Sequence, residues 1–400
     1  MKNIDKNSAI RVLGKGKTAL ALKDRFPNAI LYDEDDYNLY DKSSQEYTIV
    51  SPGIPPYNKM VKESNNVISD YDLFYEDIPL SIWISGTNGK TTTTQMCQEL
   101  LKEFGSVYGG NIGVPLSNLN KEKNIWILET SSFTLHYTKI AKPNIYILLP
   151  ISEDHISWHG SFLEYKKAKL KPLQNMNETD IAILPKEFED IKTDAFTIYY
   201  ETSKDLSEYF KIDITQIKFQ EPFLLDAVLA LCTRKILFDN IAYGIINSYK
   251  VDKHKVEEFK DKNNRVWVDD SKATNVDATI NALKAYQDLE IHLILGGDDK
   301  GANLEPLFDE LKNYSIKVYA IGSNTKRVEQ YCKDFKIDVF KCDILENATK
   351  QMNQEIIKSN NLGIKTIGIL SPAAASLDQF ESYAKRGEEF KKFIENLSKN

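Results

Sequence analysis

A chain of 400 residues, 42% apolar and 27% charged, is too long for one ordinary core and implies two or three domains of a globular protein. A formal net charge of −7 without a basic stripe argues against a generic nucleic-acid binder. No apolar run nears the roughly 20 residues of a membrane span and no signal-peptide core opens the chain. Cys97, Cys232, Cys332 and Cys342 form no C-x-x-C pair, so the protein reads as reduced and cytoplasmic.

The first predicted strand, at 9–13, runs into Gly14-Lys15-Gly16-Lys17-Thr18-Ala19 and a helical stretch, and a second strand at 29–32 ends on Asp33. A G-x-G-x-x-A turn with an acidic residue about 20 positions on is the pattern of a dinucleotide or nucleotide-diphosphate site. It fits a plain βα turn equally well, and a NAD-type dehydrogenase stays open. A strand at 47–50 leads into Ser51-Pro52-Gly53-Ile54-Pro55-Pro56, a rigid turn that reads as the lining of a site. The acidic segment 70–79, closed by a proline, reads as a hinge.

An apolar run (Leu80, Ile82, Trp83, Ile84) then stops at Ser85-Gly86, followed by Thr87-Asn88-Gly89-Lys90-Thr91-Thr92 and an amphipathic segment. Strand, glycine turn, lysine, hydroxyl and helix are the parts that cradle nucleotide phosphates: backbone N–H groups face the anion, the lysine reaches the β/γ-phosphates, and the hydroxyl holds Mg²⁺. The general spacing G-x-x-x-x-G-K-[ST] would want glycine where Ile84 stands. The stretch points to ATP.

Strand-like runs continue to alternate with helical ones. A glycine-dense loop at 109–115 carries Asn111. A strand at 125–128 ends at Glu129-Thr130-Ser131-Ser132, and one at 145–149 leads to Ser152-Glu153-Asp154-His155. A helix at 162–171 carries Lys166, Lys167, Lys169 and Lys171, and an apolar helix at 226–237 opens on Asp226. In the last third, predicted strands end at Asp269-Asp270-Ser271-Lys272-Ala273-Thr274, at Gly296-Gly297-Asp298-Asp299-Lys300, at Gly322-Ser323 and at Ser371-Pro372-Ala373-Ala374-Ala375-Ser376. Doubly wound α/β sheets bind ligands beyond the carboxyl ends of their strands, so these clusters suggest a multi-substrate enzyme. Glu129 can hold Mg²⁺ with Thr91 as co-ligand. His155 reads as a metal ligand or a core histidine, the latter favoured by residue type alone. Lys169 reads as part of a solvated lysine face.

Taken in order, SGTNGKTTT, GGNIGVP, LETSSF, SEDHISWHG with YKKAKLK, DDSKATN, LGGDDKG and SPAAASLDQF resemble the Mur ligases over residues 10–395. DSKATN, SPAAASLDQF with RGEEF, and ETSSF are similar to the branch that adds D-glutamate. The short form GTNGKT is the one this family uses. The resemblance implies three α/β domains: an N-terminal Rossmann-like domain for UDP (1–77), a central P-loop ATPase domain with a mostly parallel sheet (78–251), and a C-terminal Rossmann-like domain for the incoming amino acid (252–400). It implies a monomer that acts on small molecules in peptidoglycan precursor synthesis. ATP phosphorylates the carboxylate of UDP-N-acetylmuramoyl-L-alanine, and the amine of D-glutamate attacks the acyl phosphate. A sister ATP-dependent amide ligase, such as folylpolyglutamate synthase, is the alternative.

By resemblance, Gly86, Thr87, Asn88, Gly89, Lys90, Thr91 and Thr92 hold the phosphates of ATP. Two Mg²⁺ ions fall to Thr91, Glu129, His155 and a carbamylated Lys169, which reverses the bland readings of the last two. Asp226, Lys255, Asp270 and Lys272 face the nucleotide. Gly14, Lys15, Gly16, Lys17, Thr18, Asp33, Ser51, Pro52, Gly53, Asn111 and Ser131 contact the UDP substrate. His155, Thr274, Lys300, Ser376 and Tyr383 serve D-glutamate. Three departures stand out: Tyr383 replaces a phenylalanine, Asp226 and Phe223 stand where adenine-side asparagines are expected, and Lys255 replaces an arginine, losing the planar fork.

Overall fold

The protein is described here by a computed structural model covering residues 9–398. The described residues form an α/β structure with three sheets. The first holds β1 (Arg11–Leu13), β2 (Ile30–Tyr32), β3 (Tyr47–Val50) and β4 (Asn66–Ile68), all parallel in the order β2-β1-β3-β4. The second holds β5 (Leu80–Ser85), β6 (Ser106–Gly110), β7 (Ile125–Glu129), β8 (Ile145–Leu148), β9 (Ile181–Pro185) and β10 (Phe196–Tyr200). It too is wholly parallel, ordered β10-β9-β8-β5-β7-β6. The third holds β11 (Glu257–Lys260), β12 (Val266–Asp269), β13 (Glu290–Leu295), β14 (Ile316–Ile321), β15 (Asp338–Asp343) and β16 (Thr366–Leu370). Its order is β11-β12-β16-β13-β14-β15, with only β11 antiparallel.

Parallel strands covered on both faces need continuous apolar runs. Ile82, Trp83 and Ile84 of β5, Ile125–Leu128 of β7 and β8 throughout are buried accordingly. Helix Lys90–Leu101, with Met96, Cys97, Leu100 and Leu101 buried, packs against the mostly buried helix Phe223–Phe238. The first two sheets lie in one compact unit, the described residues up to Phe219 together with Phe223–Tyr249. The third lies in another, Gln220–Pro222 with the residues from Lys250 on.

The segment expected to be a hinge is instead a packed helix, Asp70–Phe74, followed by a 3-10 turn at Tyr75–Asp77. Ser69 and Asp72 form a capping box at its start. Asp72, fully buried, also accepts the backbone N–H groups of Lys139, Ile140 and Ala141 at 2.8, 2.8 and 2.9 Å. An acidic segment reads as solvated in one dimension. Here three N–H groups from a distant loop replace the water.

Candidate active site

In the central sheet the chain leaves β5, crosses to the edge strand β6, returns through β7 and continues on the other side of β5 with β8. This reversal opens a crevice at the carboxyl ends of β5, β7 and β8. The phosphate-loop sequence fills it. Gly89 sits at φ +81° and caps helix Lys90–Leu101, and a Cβ there would also collide with Asp226 Oδ1. Lys90 Nζ curls back to the carbonyls of Gly86 at 2.9 Å and Thr87 at 2.7 Å. Thr87 Oγ1 accepts the Ser152 N–H at 3.0 Å, joining the loop to the segment after β8. Asn88 is half-buried in the turn and Thr92 buried in the first helical turn. Asp226 is buried behind the loop, accepting Thr93 Oγ1 at 2.9 Å. Its carboxylate supports Gly89 from beneath.

Glu129, at the end of β7, is buried, and its hydrogen-bond donors are neutral. Thr91 Oγ1 donates to Oε2 at 2.8 Å and Asn111 Nδ2 to Oε1 at 2.7 Å. The Asn111 N–H also donates to the Glu129 carbonyl at 2.9 Å. A buried carboxylate beside a hydroxyl is a hard-oxygen donor set of the kind Mg²⁺ takes.

Lys169 departs furthest from its reading by residue type. On helix Phe162–Leu170 the buried residues are Tyr165, Ala168 and Lys169, one face at i, i+3 and i+4, while Lys166 and Lys167 point outward. Lys169 Nζ donates to the Gly86 carbonyl at 2.7 Å and lies 4.7 Å from the Tyr165 ring centre. Burial, and next the charge of Lys90, push its amine well below the usual lysine range. His155 is no core histidine either. Its side chain is 45% exposed, its ring stands edge-on to Phe133 at 4.7 Å, and its backbone takes φ +54°. The buried histidine of this turn is His159, four residues on, with Nε2 2.9 Å from Ser132 Oγ. The spacing from His155 was its only signal in the sequence.

On the first sheet, Gly14 to Thr18, Asp33 and Ser51 to Gly53 gather at the carboxyl ends of β1, β2 and β3. Lys15 pairs with Asp33 at 2.7 Å and Asp36 at 2.9 Å. Gly16 caps helix Lys17–Arg25, with Thr18 half-buried in its first turn. Pro52 and Gly53 form the turn closed by the Ile54 N–H on the Ser51 carbonyl. Among the described residues, Ser51 Oγ is buried without a hydrogen-bond partner. Ser131 caps helix Ser132–Tyr137, its Oγ accepting the Thr134 N–H at 3.1 Å.

On the third sheet, β12, β16 and β13 are neighbours, so their loops share one edge. Asp270 is buried, accepting Ser371 Oγ at 2.7 Å and the Val256 N–H at 3.1 Å, and burial raises its carboxyl to about 7. Lys272 Nζ lies 4.1 Å from the Tyr383 ring centre, and Lys255 pairs with Asp252 at 3.1 Å. Asp298 and Ala375 exchange two backbone hydrogen bonds, which ties the loop of exposed Lys300 to that of buried Ser376. Thr274 is exposed beyond β12. Arg386, given no role from the sequence, is 1% exposed and donates to Ser271 Oγ, the Ser271 carbonyl and the Ala374 carbonyl at 2.9, 2.9 and 3.0 Å. It staples the loops after β12 and β16 together.

The Mur ligase middle domain matches residues 84–221. The UDP-N-acetylmuramoylalanine–D-glutamate ligase of Campylobacter jejuni (strain RM1221) is 47% identical, over 97% of this chain and 100% of its own length. The Helicobacter pylori (strain J99) protein of that name is 42% identical, over 96% and 99%. The chain belongs to the UDP-N-acetylmuramoylalanine–D-glutamate ligase family. It is therefore a Mur ligase and an enzyme, and its mostly parallel α/β sheets are those of the Mur ligase fold. The MurF ligase from Thermotoga maritima in complex with ADP shares the ligase's fold with a TM-score of 0.59 at 16% identity, covering 98% of this chain and 96% of that one. Among the described residues of the ligase, no helix is long and apolar enough to cross a membrane.

Proposed function

We propose that the protein joins D-glutamate to UDP-N-acetylmuramoyl-L-alanine at the expense of ATP, as a cytoplasmic monomer in peptidoglycan precursor synthesis. The observation that carries this reading is the convergence of Lys90, Thr91, Glu129, Asn111 and Lys169 on one strand-end crevice, in a chain matched along nearly its whole length by D-glutamate ligases. In this reading residues 1–77 hold the UDP moiety, 78–251 the ATP, and 252–400 the amino acid.

The N–H groups of the loop and the ammonium of Lys90 bind and orient the β/γ-phosphates, with Gly89 letting the backbone approach. Asn111 orients the muramoyl side of the substrate. The terminal carboxylate takes the γ-phosphoryl group and ADP is released. The amine of D-glutamate, positioned by Thr274, Lys300, Ser376 and Tyr383, attacks the acyl carbon and phosphate leaves. Lys300 suits a substrate carboxylate by charge. Asp270, Lys272, Lys255 and Asp226 serve the nucleotide side. Gly14 to Thr18, Asp33, Ser51 to Gly53 and Ser131 serve the UDP substrate.

The donor chemistry fits two Mg²⁺ ions: Glu129 and Thr91 would hold one, and His155 with a carbamylated Lys169 the other. Bound there, the ions neutralise phosphate charge. A neutral Lys169 amine is the form that adds CO₂ and releases a proton to become an anionic oxygen ligand, and burial shifts the amine towards that form.

The test is phosphate release from ATP with UDP-N-acetylmuramoyl-L-alanine, comparing D-glutamate with L-glutamate, meso-diaminopimelate and L-lysine. Turnover confined to D-glutamate is expected. Turnover only with another acceptor, or only with a folate and L-glutamate, overturns the reading.

A further inference from the structure

The last helix, Tyr383–Leu397, presents Tyr383, Gly387 and Lys391 at i, i+4 and i+8, a single stripe down one face. Each position meets a different part of the edge assigned above to the nucleotide. Tyr383 lies under Lys272 Nζ at 4.1 Å. Gly387 has no side chain because there is no room: a Cβ would collide with His254 Nδ1 and stand 2.7 Å from Asp269 Oδ2. Lys391 Nζ reaches Glu257 Oε2 at 2.6 Å and Asp269 Oδ2 at 3.4 Å.

These partners form one network. His254 Nδ1 stands 2.6 Å from Asp269 Oδ2, and the His254 N–H donates to Glu257 Oε2 at 2.9 Å. His254, Glu257 and Asp269 bring their ligand atoms within 4.8 Å of one another, the arrangement of a metal site. Here the cation is built in. Asp269 is fully buried, and the Lys391 ammonium supplies the charge that lets two carboxylates share so small a space.

The network's consequence lies in the backbone beside it. His254 and Val256 adopt φ +65° and +46°, conformations that cost a non-glycine residue free energy and need outside support. That support is visible: the Lys272 N–H donates to the His254 carbonyl at 3.0 Å, and the Val256 N–H to Asp270 Oδ1 at 3.1 Å. The strap 254–256, which carries Lys255, is thereby stitched to the turn 270–272. We propose that Lys391 is a positioning residue for this nucleotide edge, an internal ammonium in place of a divalent cation that holds the strap and the turn in register. It touches no substrate. It acts through His254, Glu257 and Asp269 on Lys255, Asp270 and Lys272. The inference rests on the reading that these last three face ATP.

The experiment is steady-state kinetics with ATP and D-glutamate varied separately, together with ADP binding by calorimetry, on the full chain. Lys391→Met should raise the KM for ATP and the Kd for ADP about tenfold, the scale of a small misplacement, with the KM for D-glutamate within about twofold. Lys391→Arg, which keeps the charge, should restore nucleotide affinity. Equal changes in both KM values, or no rescue by arginine, would overturn the proposal. Should the methionine variant not fold, Glu257→Gln removes one of the two carboxylate partners from a partly exposed position and should give the same ATP-selective rise; an unchanged KM for ATP counts against the proposal. Lys272→Ala separates the two levels. If it weakens ADP binding while Lys391→Met does not, positioning by Lys391 fails; if neither weakens it, the assignment of the edge fails too.

Discussion

The Nζ atoms of Lys90 and Lys169 converge on one acceptor, the carbonyl oxygen of Gly86, at 2.9 and 2.7 Å. Burial first, and next the charge of the neighbouring Lys90, lower the Lys169 amine, the direction that favours the neutral form from which the proposed carbamate would be made. Lys169→Ala should cripple turnover, with partial rescue by a short carboxylate such as acetate. Activity equal to that of the unmodified enzyme, measured as phosphate release, would rule out the carbamate.

The Thr91–Glu129 bond leads to a second expectation. Glu129→Gln keeps the shape of the side chain and an acceptor for Thr91 while removing the charge that draws a divalent cation. The Mg²⁺ concentration for half-maximal activity should rise about 10- to 100-fold, the usual effect of weakening a metal's ligand environment. A Mg²⁺ titration that superimposes on that of the unmodified enzyme would exclude Glu129 from the metal.

Asp72 should behave as a structural anchor with no direct part in the chemistry. Asp72→Ala strands the N–H groups of Lys139, Ile140 and Ala141 in a buried place, and the cost should be about 3 kcal/mol or more. Urea unfolding followed by tryptophan fluorescence measures it, since Trp83 and Trp126 belong to the core of the same unit. A solvated hinge, by contrast, would lose almost nothing.

His159 predicts a pH dependence. Burial first, then the neighbouring His136 and His155, lower it from 6.5 to about 4. The folded protein therefore binds fewer protons than the unfolded chain between those values, and stability falls as pH drops from 6.5 towards 4. His159→Gln removes the titrating group, so the loss of stability between pH 7 and pH 5 should be smaller than in the unmodified protein. An equal loss of unfolding free energy between the two pH values in the variant and the unmodified protein, measured by denaturant titration, would refute this.

Much of the molecule was legible because its signals are local. The turn through Gly86, Gly89, Lys90 and Thr91 works by the conformation of a few consecutive residues, so its chemistry is written in consecutive letters. Apolar runs in covered parallel strands announce β5, β7, β8, β12, β13 and β16, and the polar residues after them mark the ligand edges. Short, edge or mixed-polarity strands such as β4, β11 and β15 carry no such run and pass unnoticed.

What the letters could not separate is burial among like residues. Lys166, Lys167 and Lys169 are the same residue type on one helix, and only packing against the sheet puts Lys169 inside and leaves the others in water. His155, read by residue type as a core histidine, stays half-exposed, while His159 four residues on is buried, because the turn after β8 sends the two side chains to different surroundings. Asp72 and Asp269 are acidic letters in acidic surroundings, yet three distant N–H groups and one distant ammonium make their burial affordable. The sequence by itself determined the family, the phosphate loop and the strand ends where ligands belong. Tertiary structure decided which charges lose their water and what replaces it, since desolvation depends on neighbours that are far apart along the chain.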